Sequence, residues 1–581
     1  YALLGGVYAL GCSGNIDSEP TRPERDVEVP TPPPTQQTPA PGPTEEPVEE
    51  PPAKPLLQAQ VEDILNRTCG ECHGANGRRE AGMNYIEDFD QLAQNGKIVP
   101  GDVDASPIMQ RLVGGTMPPE GSGFPPPSED EIAQIGQFIA QWDGPDASAG
   151  PRVCDNQSIT FDEIYGAMLT DILLTDSDER DSIRYVGLTN RYNAGVCDDD
   201  LEVERWALSK LVNSLSTESR ITEPEVVEGT RDLVYRIDLR RYGWDRGING
   251  ENDGWEAILA ESPYAVPFVG DEADVLVDQM NTAVPYMYAD ALANVAAVGE
   301  LYYALVDVPG DIGQLQANLR VDAQDNIDRG LVARAGTQNS GVSREDRLVE
   351  RQESGVGAGS VLWQAFEFDS GAELFNEPLD FQAVGSEAIF SLPNGLHGYA
   401  IFDENGQTIE ESDILFDTLQ DNFPVTSAVS CMTCHSRGFL QVRDEVRTFV
   451  NSNRLDFNSD EVELVNEVYP GVDAMDDLIS SDRRIYQQAL QEAGVPIEVA
   501  DPVSSVFFRF EENVRIADVA GDLGVSPEFL DNELNRLDVT LRVLRSDLPL
   551  RRRNFENVYA ESLCVLNVAS SNRPDEQFCN F

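Results

Sequence analysis

Histidine and lysine are the side chains that this sequence uses least. Its 581 residues include three histidines, and only Lys54, Lys97 and Lys210 among its 41 basic residues are lysines. A Ser–His or Cys–His nucleophile needs a histidine within hydrogen-bond reach. Because histidine is nearly absent, no nucleophile–base arrangement can be inferred from the sequence.

Acidic residues far outnumber basic ones: 103 against 41, which gives a formal net charge of −62 at pH 7. Such a chain repels the phosphates of nucleic acids, so we expect no nucleic-acid partner. The acidity has two interpretations: it steers a basic partner protein, or it keeps the surface hydrated in a salty habitat. The scarcity of lysine fits the second interpretation better.

Long apolar runs are also missing, and the one candidate lies at the N-terminus. Residues 1–12 (YALLGGVYALGC) are apolar but too short to span a bilayer. They resemble the end of a secretory signal whose charged start is missing, with a bacterial lipoprotein cleavage site at Cys12. We therefore expect residues 1–18 to be a truncated signal peptide and lipid-anchor site. The protein would be exported and membrane-anchored through Cys12, facing the periplasm or cell surface.

Residues 19–55 are dense in proline, glutamate and threonine, and this composition cannot pack a core. Proline favours extended polyproline II, so the segment predicts a linker that reaches ~100 Å at about 3 Å per residue. The chain after it predicts two folded regions, residues 56–150 and residues 151–581.

Two of the three histidines end C-x-x-C-H motifs, at residues 69–73 and 431–435. In this spacing two thiols form thioethers with one haem, and the histidine binds its iron. A structural zinc site would need further ligands, and a redox dithiol would not need the histidine. The sequence therefore predicts two covalently bound haems c. Their attachment residues and proximal ligands are Cys69, Cys72 and His73 for the first haem and Cys431, Cys434 and His435 for the second.

Met117 is the expected sixth ligand of the first haem iron. It lies in residues 114–119 (GGTMPP), where the prolines stiffen the loop that presents the thioether. Met83 and Met109 are alternatives, although Met109 falls in a predicted helix, where core filling is the default. Histidine–methionine ligation raises the reduction potential, so we expect the first haem to be the more oxidising one.

The flanks of the first motif carry a recognisable pattern. The C-G-E-C-H-G opening is followed by IVPGDVDASPIMQRL, an M-P-P loop and a closing SEDEIAQIGQFIAQW segment, in which Ser128 and Glu131 predict a helix capping box. On these elements residues 62–142 resemble the planctomycete-type cytochrome c family. The resemblance implies a small all-α class I cytochrome c domain with a His/Met haem, and no substrate.

Residues 151–581 predict a larger α+β domain with the second c-type haem and a mainly helical C-terminal part. Stretches such as YVGLTNRYNAGV, VYRIDLRRYGW and VSCMTCHSRG resemble an uncharacterised family of large bacterial c-type cytochromes. That resemblance implies haem binding and no particular reaction. Residues 389–392 and 396–402 predict two strands joined by a Pro-Asn-Gly turn. Ser526 and Pro527 predict a helix start.

Three possibilities remain for the sixth position of the second haem iron. His397 is the one histidine outside the motifs, but on its strand it shares a face with Tyr399 and Ile401, as a core histidine would. An open position is the second possibility. The third is a methionine, although each candidate is more typical of a core: Met168, Met280, Met287 and Met475.

Four cysteines remain, and an exported domain favours their pairing. We expect Cys154 to pair with Cys197 and Cys564 with Cys579, because these pairings close the shorter loops; free thiols are the alternative.

The leading functional prediction is an electron-transfer protein that connects redox partner proteins or a terminal acceptor. The alternative is a dihaem enzyme, peroxidase- or oxidase-like, with an open second haem. Such an enzyme needs a proton-handling side chain near that haem.

Overall fold

The computed structural model describes most of the chain beyond residue 53. The chain divides at residue 55 into two units, the second of which is residues 56–581. Cys12, the expected signal peptide, nearly all of the linker and Met83 lie outside the described residues. The described ranges are 54–74, 85–94, 97–101, 103, 106–113, 117, 126–142, 154, 156–248, 253–338, 346–357, 359–368, 373–417, 423–497, 499–546, 548–567 and 570–579.

Helices account for the named elements in the described part of residues 54–142. They are α1 (Lys54–His73), α2 (Phe89–Gln94), α3 (Pro107–Val113) and α4 (Glu129–Gln141). A single apolar core includes Val61 and Leu65 of α1 and Ile135 and Ile139 of α4. The sequence prediction of a small helical region is confirmed within this part of the chain.

Beyond residue 150 helices and strands are mixed, as predicted. The helices before the second motif are α5 (Phe161–Leu174), α6 (Thr189–Asn193), α7 (Asp198–Ser214), α8 (Gly254–Glu261), α9 (Asp271–Met280), α10 (Ala289–Ala296), α11 (Gly299–Leu305), α12 (Ile312–Asn318), α13 (Ala323–Asp328) and α14 (Glu373–Asn376). The strands are β1 (Ile183–Gly187), β2 (Glu225–Val226), β3 (Val234–Asp238), β4 (Phe268–Gly270), β5 (Tyr286–Tyr288), β6 (Val332–Thr337), β7 (Arg347–Glu353), β8 (Val361–Glu367), β9 (Gly385–Ser391), β10 (His397–Asp403), β11 (Thr408–Ile409), β12 (Glu411–Asp417), β13 (Phe423–Thr426) and β14 (Asn572–Pro574).

Two larger sheets organise these strands. One has the order β2-β3-β1-β5, in which β1 pairs with β3 antiparallel and with β5 parallel. The other has the order β11-β10-β9-β8-β7-β6 and is antiparallel throughout. Two short pairs, β12-β13 and β14-β4, complete the sheet structure of the described residues.

The predicted hairpin that carries His397 is confirmed. Strands β9 and β10 pair antiparallel with His397 opposite Ser391. Gly395 takes the turn at a φ of +90°, and its N–H donates to Leu392 O at 3.0 Å. A left-handed φ of this kind is one that glycine adopts without steric cost.

Helices dominate from the second motif onward, as predicted. They are α15 (Val429–Cys434), α16 (Val446–Ser452), α17 (Ser459–Val468), α18 (Val472–Glu492), α19 (Pro502–Phe510), α20 (Ile516–Asp522), α21 (Pro527–Glu533) and α22 (Arg552–Leu566). Three further segments form 3-10 turns: Arg180–Ser182, Leu239–Arg241 and Val539–Ser546. The predicted start of α21 is confirmed, because Ser526 Oγ accepts a hydrogen bond from Phe529 N–H at 3.2 Å.

Covalent cross-links join separate segments of this region. The structure contains the disulfides Cys154–Cys197 and Cys564–Cys579, the two pairs that the sequence predicted. No helix in the described part of the chain combines the length and the apolar run that crossing a bilayer requires.

Candidate haem-binding sites

The first C-x-x-C-H motif forms the C-terminal end of α1. Positions 69, 72 and 73 stand at i, i+3 and i+4 of the helix and therefore share a face. Cys69 and His73 are half-buried, whereas the side chain of Cys72 lies outside the described residues. Thr68 Oγ1 donates to Ile64 O at 2.6 Å and lies 3.3 Å from Cys69 Sγ, which fixes the approach of this thiol.

Helix α4 packs beside this motif-bearing helix. Ser128 Oγ accepts from Glu131 N–H at 3.3 Å, and the Glu131 carboxylate accepts from Ser128 N–H at 2.8 Å, which confirms the predicted capping box. The same carboxylate pairs with Arg67 of α1 at 2.5 Å. The rings of Phe89 and Phe138 lie 4.5 Å apart behind this contact. An ion pair therefore joins the first turn of α4 to α1 two residues before Cys69.

The methionine candidates of the small domain differ in their surroundings. Met109 is buried in α3 near Gly136 of α4, so it fills the core as expected. Met117 is half-buried in the loop between α3 and α4. Of the two described methionines of this region, Met117 is therefore the one whose sulfur could still bind a haem iron.

The second motif starts from a strained turn. Ala428 has φ +66° and ψ −71°, and the N–H of Val429 donates to Ser427 O at 3.0 Å across it, which is a γ-turn. Strain of this kind persists where the surrounding structure enforces it, and it clusters at functional sites. Helix α15 follows directly and packs against α19 and β13. Cys431, Cys434 and His435 are half-buried at its end.

The His435 imidazole is held in one tautomer. Its Nδ1 lies 3.3 Å from Gly438 O, and because a carbonyl can only accept, Nδ1–H is the donor. Nε2 is then the unprotonated nitrogen, and a backbone carbonyl partner of this kind is what orients a metal-binding histidine. Burial, followed by the charges of Arg347 and Arg483, lowers the pKa of His435 to about 4, so the imidazole is neutral at pH 7.

Comparison with known proteins bears on the first of these motifs. The family model described as planctomycete cytochrome C matches residues 69–121. This match supports the resemblance of the first motif and its flanks to planctomycete-type cytochrome c. Searches of curated proteins and of solved structures found no match to the chain.

The residues of the planctomycete-type domain suit the haem c that its family implies. A thiol, an imidazole and a reachable thioether are the donors that class of haem requires. The second motif offers the same thiols and a correctly protonated imidazole in a region that the family match does not cover. In the described residues, no group of three or more His, Cys, Asp or Glu side chains is arranged to hold a bare metal ion.

Close to the second motif lies a buried group of rings, which we call the His397 cluster: His397, Tyr399, Phe439 and Tyr486. The His397 ring stacks on Tyr486 at 4.1 Å and contacts Phe439 at 4.4 Å, with Tyr399 at 6.2 Å. Burial is the largest cause that lowers the pKa of His397 well below its usual value. His397 therefore packs against Phe439, which lies four residues beyond the histidine of the second motif.

Two tyrosines of α11 hold the strand that carries His397. Tyr302 OH accepts from Tyr399 N–H, and Tyr303 OH accepts from Ile401 N–H, each at 3.1 Å. Burial raises the pKa of Tyr303 to about 12, with Cys431 among the smaller contributors. The two hydrogen bonds therefore fix the position of β10 relative to α11.

A buried ion pair lies within electrostatic reach of His397. Lys210 of α7 and Asp501, which caps α19, are in contact and almost wholly buried. The remaining methionine candidates, in contrast, pack in apolar core clusters, as expected: Met168, Met280 and Met287 in one and Met475 in another.

Sequence reasoning found His397 but missed its neighbours. Tyr486 lies on α18 and Lys210 on α7, far from His397 in sequence, so no local pattern joins them. One signal was available: Lys210 is the only lysine after Lys97 in a chain that otherwise uses arginine.

Proposed function

We propose that this protein is an exported dihaem c-type cytochrome that transfers electrons between redox partners or to a terminal acceptor. The cytochrome c family match supports covalent haem in the small domain. The observation that carries the second haem is His435, which follows two helical cysteines and gives its Nδ1–H to Gly438 O. Haem supplies one-electron redox chemistry at each site.

The chain's own contribution is to attach, orient and shield the two groups. Cys69, Cys72 and His73, with Met117 opposite, would hold the first haem. Cys431, Cys434 and His435 would hold the second, and its sixth position falls to His397 or stays open.

Haem counting in protein purified from its native host tests this proposal. We expect an alkaline pyridine spectrum and an intact mass that correspond to two haems per chain. The double variants C69A/C72A and C431A/C434A should each lose one haem and keep the other. A chain that carries a single haem, or whose second motif can be removed without loss of haem, contradicts the proposal.

Membrane anchoring through Cys12 is a separate part of the proposal. It rests on the apolar N-terminal residues and the linker composition. We expect the wild-type protein to sediment with membranes and to incorporate labelled fatty acid. The variant C12A should do neither, and equal labelling of both proteins would contradict anchoring at this residue.

A dihaem enzyme is the second candidate function. What favours it is the buried Lys210–Asp501 pair beside His397, because a reaction at the second haem needs a group that handles protons. Steady-state turnover with peroxide and a reduced donor tests it. Absence of turnover in a protein that carries both haems removes this candidate.

A further inference from the structure

The His397 cluster contains three buried polar atoms that lack a well-formed hydrogen bond to the described residues. They are His397 Nδ1, Tyr399 OH and Tyr486 OH. Buried polar groups in proteins are almost always paired with protein or water, so each exception calls for an explanation. A pair of tyrosine hydroxyls that bond to each other only imperfectly, beside a His397 Nδ1 that has no partner among the described residues, indicates a partner that is not part of the polypeptide.

The cluster faces the second attachment motif. Tyr486 Cδ1 lies 3.3 Å from the position that a Cβ would take at Gly438, whose carbonyl accepts from His435, and the His397 ring lies 4.4 Å from that of Phe439. The hydroxyls of Tyr399 and Tyr486 share a side-chain hydrogen bond of imperfect geometry, which acts on the pKa of each tyrosine. These polar atoms are therefore gathered where a ligand of the second haem would lie.

His397 and His435 differ in how they are held. A histidine that binds a metal almost always donates its second ring N–H to a carbonyl or carboxylate. His435 makes such a bond to Gly438 O, whereas His397 Nδ1 is buried without one. Stacking on Tyr486 fixes the plane of the His397 ring, and this leaves its polar edge available as a hydrogen-bond donor.

We propose that the second haem has an open sixth position, and that His397, Tyr399 and Tyr486 donate hydrogen bonds to a small oxygen-bearing ligand bound there, such as nitrite or peroxide. The proposal rests on the proposed function, because it requires the second haem. It goes further by assigning a binding site for an exogenous small molecule and the side chains that select it. A ligand that accepts hydrogen bonds is favoured over one that does not.

Fluoride and imidazole are suitable probes of the oxidised dihaem protein. Fluoride bound to ferric haem accepts hydrogen bonds, whereas imidazole binds the same iron without needing a donor. We expect each of Y399F and Y486F to weaken fluoride affinity about tenfold, the value of one hydrogen bond, while imidazole affinity stays within about twofold. Visible and paramagnetic resonance spectra report both titrations.

The matched control is Y469F. Tyr469 is also a buried tyrosine of this region, but its hydroxyl donates to Pro378 O at 2.8 Å in a separate apolar cluster. Y469F should leave both affinities unchanged, so a loss seen in Y399F and Y486F alone supports the proposal. Equal fluoride affinity in wild type, Y399F and Y486F would assign these donors to the haem's own carboxylates and overturn it.

His397 provides a second and independent test. We expect H397A to keep the high-spin signal of the second haem and to lose fluoride affinity. If H397A converts a low-spin second haem into a high-spin one, His397 is the sixth ligand and the proposal is overturned. Haem content measured on the same samples separates this result from failure of the proposed function, which would show as a missing second haem.

Discussion

Lys210 illustrates how the hydrogen-bond partners available at a buried position restrict which basic residue fits there. An ammonium group is a compact charge with three donors, whereas a guanidinium carries five donors in a rigid plane. Asp501 can accept only some of these bonds, so an arginine at position 210 would bury unpaired N–H groups. This cost explains why a lysine stands here, in a chain that beyond Lys97 otherwise places arginine at its strongly basic positions.

Met117 is the proposed sixth ligand of the first haem iron, and on this proposal the potential of that haem depends on it. Exchange of a thioether ligand for imidazole lowers the reduction potential of a haem. We therefore expect M117H to lower the potential of the first haem by on the order of 100 mV or more, within the ~0.8 V range that axial ligands set. Spectroelectrochemical titration measures this shift. M109L changes a buried core methionine and should leave the potential unchanged; an equal shift in both variants would argue against Met117 as the ligand.

Asp522 should make stability depend on pH. Asn190 and Arg552 donate to its carboxylate at 3.0 and 2.7 Å, yet burial prevails and raises the pKa of Asp522 from 3.8 to about 6. A carboxyl whose folded pKa is raised favours the protonated folded state, so its contribution is complete below pH 3.8 and is lost as pH rises through about 6.

The variant D522N tests this dependence. Between pH 4 and pH 7 the wild type should lose on the order of 2–3 kcal/mol relative to D522N, which corresponds to a shift of about two pKa units. Urea unfolding at several pH values provides the measurement. Parallel pH profiles of the two proteins would show that Asp522 does not titrate in this range.

At the scale of elements, short sequence motifs predicted the features that neighbouring residues determine, which are helix starts and a hairpin turn. Ser128 and Ser526 mark helix starts because their hydroxyls accept backbone N–H groups two or three residues ahead, and the structure has both bonds. The Pro-Asn-Gly turn likewise predicted the β9-β10 hairpin.

Contacts between distant elements could not be predicted in this way. The His397–Tyr486 stack joins a strand to a helix, and Lys210–Asp501 joins α7 to α19, with a sequence separation of 291 between the two partners. Hydrophobic periodicity identifies which face of an element is buried but not which other element covers it. The site around the second motif is therefore a property of the fold.

The hairpin turn offers a test at this scale. Gly395 has φ +90°, and a Cβ there would lie 3.3 Å from the Cβ of Ala489. We expect G395A to lower the free energy of unfolding by about 1–2 kcal/mol, because a left-handed backbone is unfavourable for alanine. Gly166 lies inside α5 with open space around it, so G166A should raise stability by about 0.5–1 kcal/mol. Urea midpoints compare the two, and a neutral G395A would contradict the strain argument.

At the scale of the whole molecule, the apolar cores separate according to the chain. One cluster draws only on residues between Val61 and Trp142, whereas the largest extends from Ile159 to Leu566 and includes Met432 of the second motif. Each attachment motif is therefore supported by a different core. Removal of one haem should destabilise its own core and leave the other intact, as the paired cysteine variants allow us to observe.

The net charge of −62 acts on the whole molecule and should make its stability depend on salt. Like charges repel in the compact state, and added salt screens them, because the Debye length falls from ~10 Å at 0.1 M to ~3 Å at 1 M. We expect the urea midpoint to rise steadily between 0.1 and 1 M sodium chloride with an unchanged slope. A midpoint that does not respond to salt would remove the habitat interpretation. The acidity would then be better explained by attraction of a basic redox partner, whose association rate should fall steeply over the same range of salt.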